Sequence, residues 1–233
     1  DLLAARLDAT GEAKFTAQLA ATIGRSFALD ILSQVSPLAP QAVLQGVHRL
    51  VAADLLWSSD GVVCQFRHAL IRDTAYQSQT HSGRKTAHLK IAHVLQTTGG
   101  RFVSGQPELI AQHLAAGEEF EQAAIFWLRA GNQACQRAAG SEAILHYKAG
   151  LAQVDRVADS PAKLQLAFDL LNGLGLAAIA VEGYASGEAA AAHARALALS
   201  ERHAGNPDVF RAIWGLWASA SSRSGYDLAL DMA

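Results

Sequence analysis

Arg67, His68 and Arg72 are the residues of this sequence whose types and spacing best suit anion chemistry. A histidine at the start of a helical pattern, with one arginine just before it and another a turn later, can meet a phosphate with an imidazole, guanidinium forks and the open amides of a helix N-terminus. The same letters also fit a histidine bonded to backbone, with Arg67 solvated and Arg72 paired with Asp73. Elsewhere the chemistry is sparse. Gly83-Arg84-Lys85-Thr86 is the nearest text to a phosphate loop, and it lacks both the upstream glycine and the Gly-Lys pair, so it reads as a basic helix start. Gly173-x-Gly175-x-x-Ala178 matches a dinucleotide fingerprint by letters, but no strand precedes it, and close helix packing is the expectation.

Nine histidines invite a metal site, yet no H-E-x-x-H is present. His81 and His88 would share a helix face two turns apart, roughly 10 Å along the axis, too far for one ion; His93 follows five residues on. Cys64 and Cys135 stand alone in apolar contexts, and no Ser/His/Asp or Cys/His arrangement accompanies them. We therefore expect no catalytic residues, no metal and no cofactor in this chain.

The totals narrow the class. Hydrophobic residues make up 51% and charged residues 17%, as in a globular protein. A formal charge of −2 provides no field to gather nucleic acid or anionic lipid. Two unpaired cysteines argue for a reducing cytoplasm. The longest uninterrupted apolar run, Leu174 to Val181, is short of a membrane span, and no membrane partner is expected. The chain opens and closes inside amphipathic patterns, which reads as a piece of a larger protein.

The elements that must position these residues are mainly helical. Phe15, Leu19 and Ile23 mark a helix over 13–23 that Gly24 ends, and a second helix over 27–35 stops at Ser36-Pro37. Pro40 opens a third. Leu55–Trp57 and Val62–Phe66, separated by Ser-Ser-Asp-Gly, predict a β-hairpin. Helices over 68–77 and 84–96 follow, and the glycine-rich stretch 98–106 is a linker. Alanine then doubles, from 16 in residues 1–102 to 32 in residues 103–233, which predicts tightly packed helices. They are expected over 107–117, 119–138, 141–156, 161–182, 186–204, 207–223 and from 226, with Ser141, Ser160 and Asn206 as caps.

A repeat runs through this second part. Ala123/Trp127/Ala130, Ala143/Tyr147/Gly150 and Ala190/Ala194/Leu197 share the small–large–small pattern of the second helix of a TPR unit, and Ala229 opens a further copy. Trp127 and Gly131 also fit the first-helix pattern, so helix 119–138 serves two readings. The organisation expected is an all-α, mainly helical chain. A winged-helix-like module with a small β-hairpin spans 1–97, and a TPR-like right-handed α-solenoid spans 107–233.

Three segments, QLAATIGRSF (18–27), LQGVHRLVAADLL (44–56) and FRHALIRDTAYQS (66–78), resemble the region that follows the AAA-like nucleotide-binding domain of bacterial STAND-type signalling ATPases. PELIAQHLAAG (107–117), AIFWLRAGNQA (124–134) and FRAIWGLWASASSRSGYDLAL (210–230) resemble the TPR region of the same proteins. Such proteins often carry a class III adenylate or guanylate cyclase domain, or a DNA-binding transcription-activation domain. The resemblance implies a regulatory and coupling role, with ATP or ADP and Mg held by the adjacent nucleotide-binding domain of the same chain. It implies that His68, with Arg67 and Arg72, senses the β-phosphate of bound ADP, and that the repeats take a protein or small effector. The alternative is DNA binding by the winged helix, but helix 40–54 carries only Arg49, Asp54 and His48 as ionisable groups, so few phosphates would be neutralised and nucleic acid is not expected. Trp214 and Trp217, three apart on one helix, are candidate protein contacts, and self-association through the truncated 207–233 end is expected.

Overall fold

The computed structural model describes residues 2–58, 61–98, 106–201 and 209–222. Most of the expected linker, Asp60 at the hairpin tip, the helix start at Pro207 and the segment carrying Gly225 and Ala229 lie outside the described residues. The protein is mainly helical, with twelve helices and one small sheet among the described residues. It divides into two compact units, residues 1–104 with 116–118, and residues 105–115 with 119–233.

The first unit holds α1 (Leu2–Asp8), α2 (Ala13–Ile23), β1 (Ser26–Ala28), α3 (Leu29–Val35), α4 (Pro40–Ala52), β2 (Leu56–Ser58), β3 (Val63–Phe66), α5 (Ala69–Gln77) and α6 (His81–Thr98). Gly24 ends α2 by donating its N–H to Ala20, and Pro40 is the first residue of α4, as the residue types dictate. The sequence predicts a two-stranded hairpin, and the structure adds a strand to it. β1 pairs antiparallel with β3, Phe27 opposite Cys64, giving the order β1-β3-β2. Three residues are too short to show a period of two, and by its letters Phe27 reads as the start of the following helix. Its buried ring lies 6.1 Å from that of Phe66, so the sheet forms where both rings enter the core. α2 packs on α4, α5 and α6. Gly46 allows the α2–α4 approach, because a Cβ there would stand 2.5 Å from the Thr16 hydroxyl.

The second unit holds α7 (Pro107–Ala116), α8 (Phe120–Gln136), α9 (Gly140–Val154), α10 (Pro161–Glu182), α11 (Gly187–Glu201) and α12 (Val209–Ser222). From α8 onward each helix packs on the next, and α10 also touches α8 and α12. The contacts repeat. The Tyr147 ring of α9 lies against Gly131 of α8 and Gly173 of α10, and the His193 ring of α11 lies against Gly175 of α10 and Gly215 of α12. In each case one large ring fills the space that two glycines on flanking helices leave open.

This packing corrects the register of the third repeat copy. Ala189, Ala192, His193, Ala196 and Ser200 are buried in α11, whereas Ala194 is exposed. An imidazole takes the ring position, and an alanine-rich run fits either register by letters alone. Ser160 caps α10 as expected, accepting from the Lys163 amide. Ser141 does not cap α9, which begins at Gly140. The turn before it is closed by Ala138 at φ 58°, with the Ala139 N–H bonded to the Ala134 carbonyl. Glycine usually takes that left-handed position, so an alanine there gave no stop signal and α8 ends two residues earlier than expected. α10 is long and apolar enough by length and composition to cross a membrane, and half of its apolar window is buried inside the unit.

Candidate functional site

One candidate place lies in each unit. In the first unit His68 caps α5 with extended backbone (φ −136°, ψ 145°), and its carbonyl accepts from the Ile71 amide. Its side chain is exposed and makes no capping hydrogen bond, so the imidazole stands at the helix start, where the macrodipole favours an anion. The two arginines have their own partners. Arg67 Nε lies 2.9 Å from Asp54 Oδ1. Arg72 Nε donates to the Ala21 carbonyl at 3.0 Å, and its Nη1 donates to Asp73 at 3.0 Å. Arg72 therefore ties α5 to α2, and among the described residues His68 is the member of the trio that faces solvent without such a tie.

Behind His68, α5 carries a stripe at four-residue spacing, His68, Arg72 and Tyr76. The guanidinium groups of Arg72 and Arg84 lie 4.9 and 5.3 Å from the Tyr76 ring centroid, and the Tyr76 hydroxyl bonds His88 Nε2 at 2.9 Å. Burial, with the charges of Arg72 and Arg84 beside it, lowers the His88 pKa to about 4. This imidazole is neutral at physiological pH, and the cluster anchors the helix that presents His68.

The remaining sequence candidates take structural places. Arg84 and Lys85 lie inside the first turns of α6. Gly173 and Gly175 lie inside α10 facing rings, not a phosphate. No group of three or more His, Cys, Asp or Glu able to hold a metal occurs among the described residues. Trp214 and Trp217 on α12 are 39% and 42% exposed, and the Trp214 ring meets Tyr184 edge-on at 6.3 Å.

The second place is a cavity of about 850 Å³ between α8 and α10, which sequence reasoning missed. Its apolar lining includes Leu128 on α8 and Leu176, Ala180 and Val181 on α10. The polar part is linked. The Tyr147 hydroxyl donates to Asn132 Oδ1 at 2.8 Å and lies 3.6 Å from Cys135 Sγ. Burial, then the bond with Cys135, raises the Tyr147 pKa and keeps it a protonated donor. Asn172, 5% exposed, also lines the cavity, and its Oδ1 has no hydrogen-bond partner among the described residues. A buried acceptor left alone costs about 1–3 kcal/mol, so an orphan of this kind has a use or a missing partner. In sequence Asn172 is one polar letter in an apolar run; only the helix pairing shows that it shares a cavity with Asn132. No protein-family model matches the chain, and no curated protein or solved structure matches it.

Proposed function

We propose that the chain is the regulatory and coupling part of a STAND-type bacterial signalling ATPase, associated with a nucleotide cyclase domain. In this reading the first unit is a winged-helix-like module that senses the nucleotide state of the adjacent domain. The second is a TPR-like right-handed solenoid that receives a protein or small effector. The observation that carries the reading is the recurrent packing of α8 to α12, where a ring from every second helix seats on glycines of both neighbours. Such nearest-neighbour packing builds an extended surface for partners and conveys a displacement from one helix to the next. The exposed, uncapped imidazole of His68 at the start of an anchored helix supports the sensing role. Nucleotide chemistry belongs to the neighbouring domain, with ATP or ADP and Mg bound there.

DNA binding by the first unit is the weaker reading. Arg49 on α4 pairs with Glu12, and α4 also exposes Leu44 and Val51. It offers phosphates little free positive charge.

The test is His68→Ala in the full-length protein. Losing a contact made only in the ADP-bound resting state should weaken ADP binding by the factor that about 1–3 kcal/mol of coupling sets, roughly 5- to 150-fold, and raise basal output. ADP affinity and basal output both equal to wild type would refute the sensing role.

A further inference from the structure

We propose that a further cavity of about 520 Å³, inside the first unit and lined by α2, the end of α3 and the start of α6, binds a small monocarboxylate with an apolar body. The polar lining divides into groups that answer one another and groups that do not. Gln18 donates to Ser78 Oγ at 3.0 Å, and Gln79 donates to the Gln18 carbonyl at 2.9 Å. Thr80 Oγ1 accepts the Gly83 amide at 3.1 Å and stands 3.4 Å from Ser82 Oγ. These bonds hold the turn between α5 and α6. Thr86 and Lys90 are the polar lining residues left without a partner among the described residues. They lie four residues apart on α6, so they adjoin on one face. An ammonium brings three donors and no acceptor, and a hydroxyl brings one donor, so together they call for an acceptor that carries negative charge.

The rest of the lining narrows that anion. Lys90 is the ionisable residue of the lining, and no Asp or Glu lines the cavity among the described residues to compete for it. One cation suits one negative charge. A phosphate would lack its usual amide cradle, because Thr80 already takes the Gly83 amide with Oγ1 and the Arg84 amide with its carbonyl. Leu19, Val35 and Ala87 are buried and give the cavity an apolar part, while the Phe15 ring beside them is 44% exposed. An apolar body attached to the carboxylate would cover that ring and remove both surfaces from water. The site stands on the first unit alone and needs neither a nucleotide nor the helical array.

The probes are 4-phenylbutyrate, its uncharged counterpart 4-phenylbutyramide, acetate, which has no apolar body to speak of, and inorganic phosphate. Amide shifts in two-dimensional NMR spectra of the whole chain locate and quantify binding. A ligand of this size at ordinary efficiency binds with a dissociation constant on the order of a millimolar. Saturable shifts from 4-phenylbutyrate should centre on Thr86 and Lys90, with affinity about three- to fivefold above that of the amide, the upper end of what an exposed charge pair contributes. Acetate and phosphate should give no saturable shifts there up to about 20 mM. Lys90→Met should bring the acid down to the affinity of the amide. Thr86→Val should weaken the acid about two- to threefold through the lost hydroxyl donor, and serves if Lys90→Met does not fold. Both side chains are exposed, so neither change touches the core. No saturable shift near Lys90 with 4-phenylbutyrate, equal affinity for the amide, phosphate binding as tightly as the acid, or wild-type affinity for the acid in either variant overturns the proposal.

Discussion

Replacing Gly173 by alanine should destabilise the second unit, the reverse of what a helix-interior glycine ordinarily does. In an open helix the change is favourable by about 0.8–1.0 kcal/mol, because alanine loses less backbone entropy. Here the new methyl would stand 2.5 Å from Tyr147 Cζ and 2.6 Å from Cε1. Carbon pairs rest at about 3.5–4.0 Å, so the ring must withdraw by roughly an ångström. Withdrawal toward α8 is blocked, because the other side of the ring lies against Gly131. Overpacking of this kind costs about 1–3 kcal/mol, which offsets or exceeds the propensity gain and leaves a net loss of up to about 2 kcal/mol. For a chain of this size that lowers Tm by up to about 8 °C. Thermal and urea melts followed by far-UV circular dichroism measure it, and a second background isolates the cause. In Tyr147→Leu the ring is gone, and Gly173→Ala should return to its ordinary stabilising sign. If Gly173→Ala raises Tm in the wild-type background, or has the same effect in both, the ring-on-glycine contact is not what holds α9 against α10.

Acid should unfold the protein through two buried histidines. The pKa of His88 is lowered from 6.5 to about 4 by burial and by Arg72 and Arg84, and that of His193 is lowered by burial. The unfolded chain therefore binds protons first as pH falls, so stability is full above about 6.5 and is lost on the way down to about 4, by at most about 3 kcal/mol for His88. Denaturant melts across this range should show the loss, and His88→Gln should flatten it; an unchanged slope in the variant refutes the assignment. The isolated chain should neither hydrolyse ATP nor retain it, since no phosphate loop is present; calorimetry that returns a low-micromolar dissociation constant contradicts this. Trp214 and Trp217 stand about two-fifths exposed, and light scattering should find concentration-dependent association that Trp214→Ser with Trp217→Ser abolishes; a wild-type chain that stays monomeric at high concentration excludes it.

Local rules settled much of this protein from its letters. Gly24, Pro37, Pro40, Ser160 and Pro161 punctuate helices through backbone restrictions that need no partner, and the elements they bound stand where the sequence puts them. The spacing of Gly173 and Gly175 within an apolar helix likewise announced close packing, because a missing side chain matters only where something approaches. What the letters left open depends on residues far apart in the chain. β1 exists because Phe27 meets Phe66 across the sheet, and three residues carry no period of their own. Alanine fits either register in α11, and the glycines on α10 and α12 select the one that buries His193. The letters allowed Arg67 and Arg72 to flank a phosphate with His68 or Arg72 to pair with Asp73; the fold keeps the Arg72–Asp73 pair and adds the Ala21 carbonyl and, for Arg67, Asp54, brought near by α2 and by the turn after α4. The cavity between α8 and α10 is the fullest case. Asn132 and Asn172 sit forty residues apart on two helices, and only the packing that places α8 beside α10 brings them to one cavity and leaves the buried Asn172 Oδ1 without a partner among the described residues.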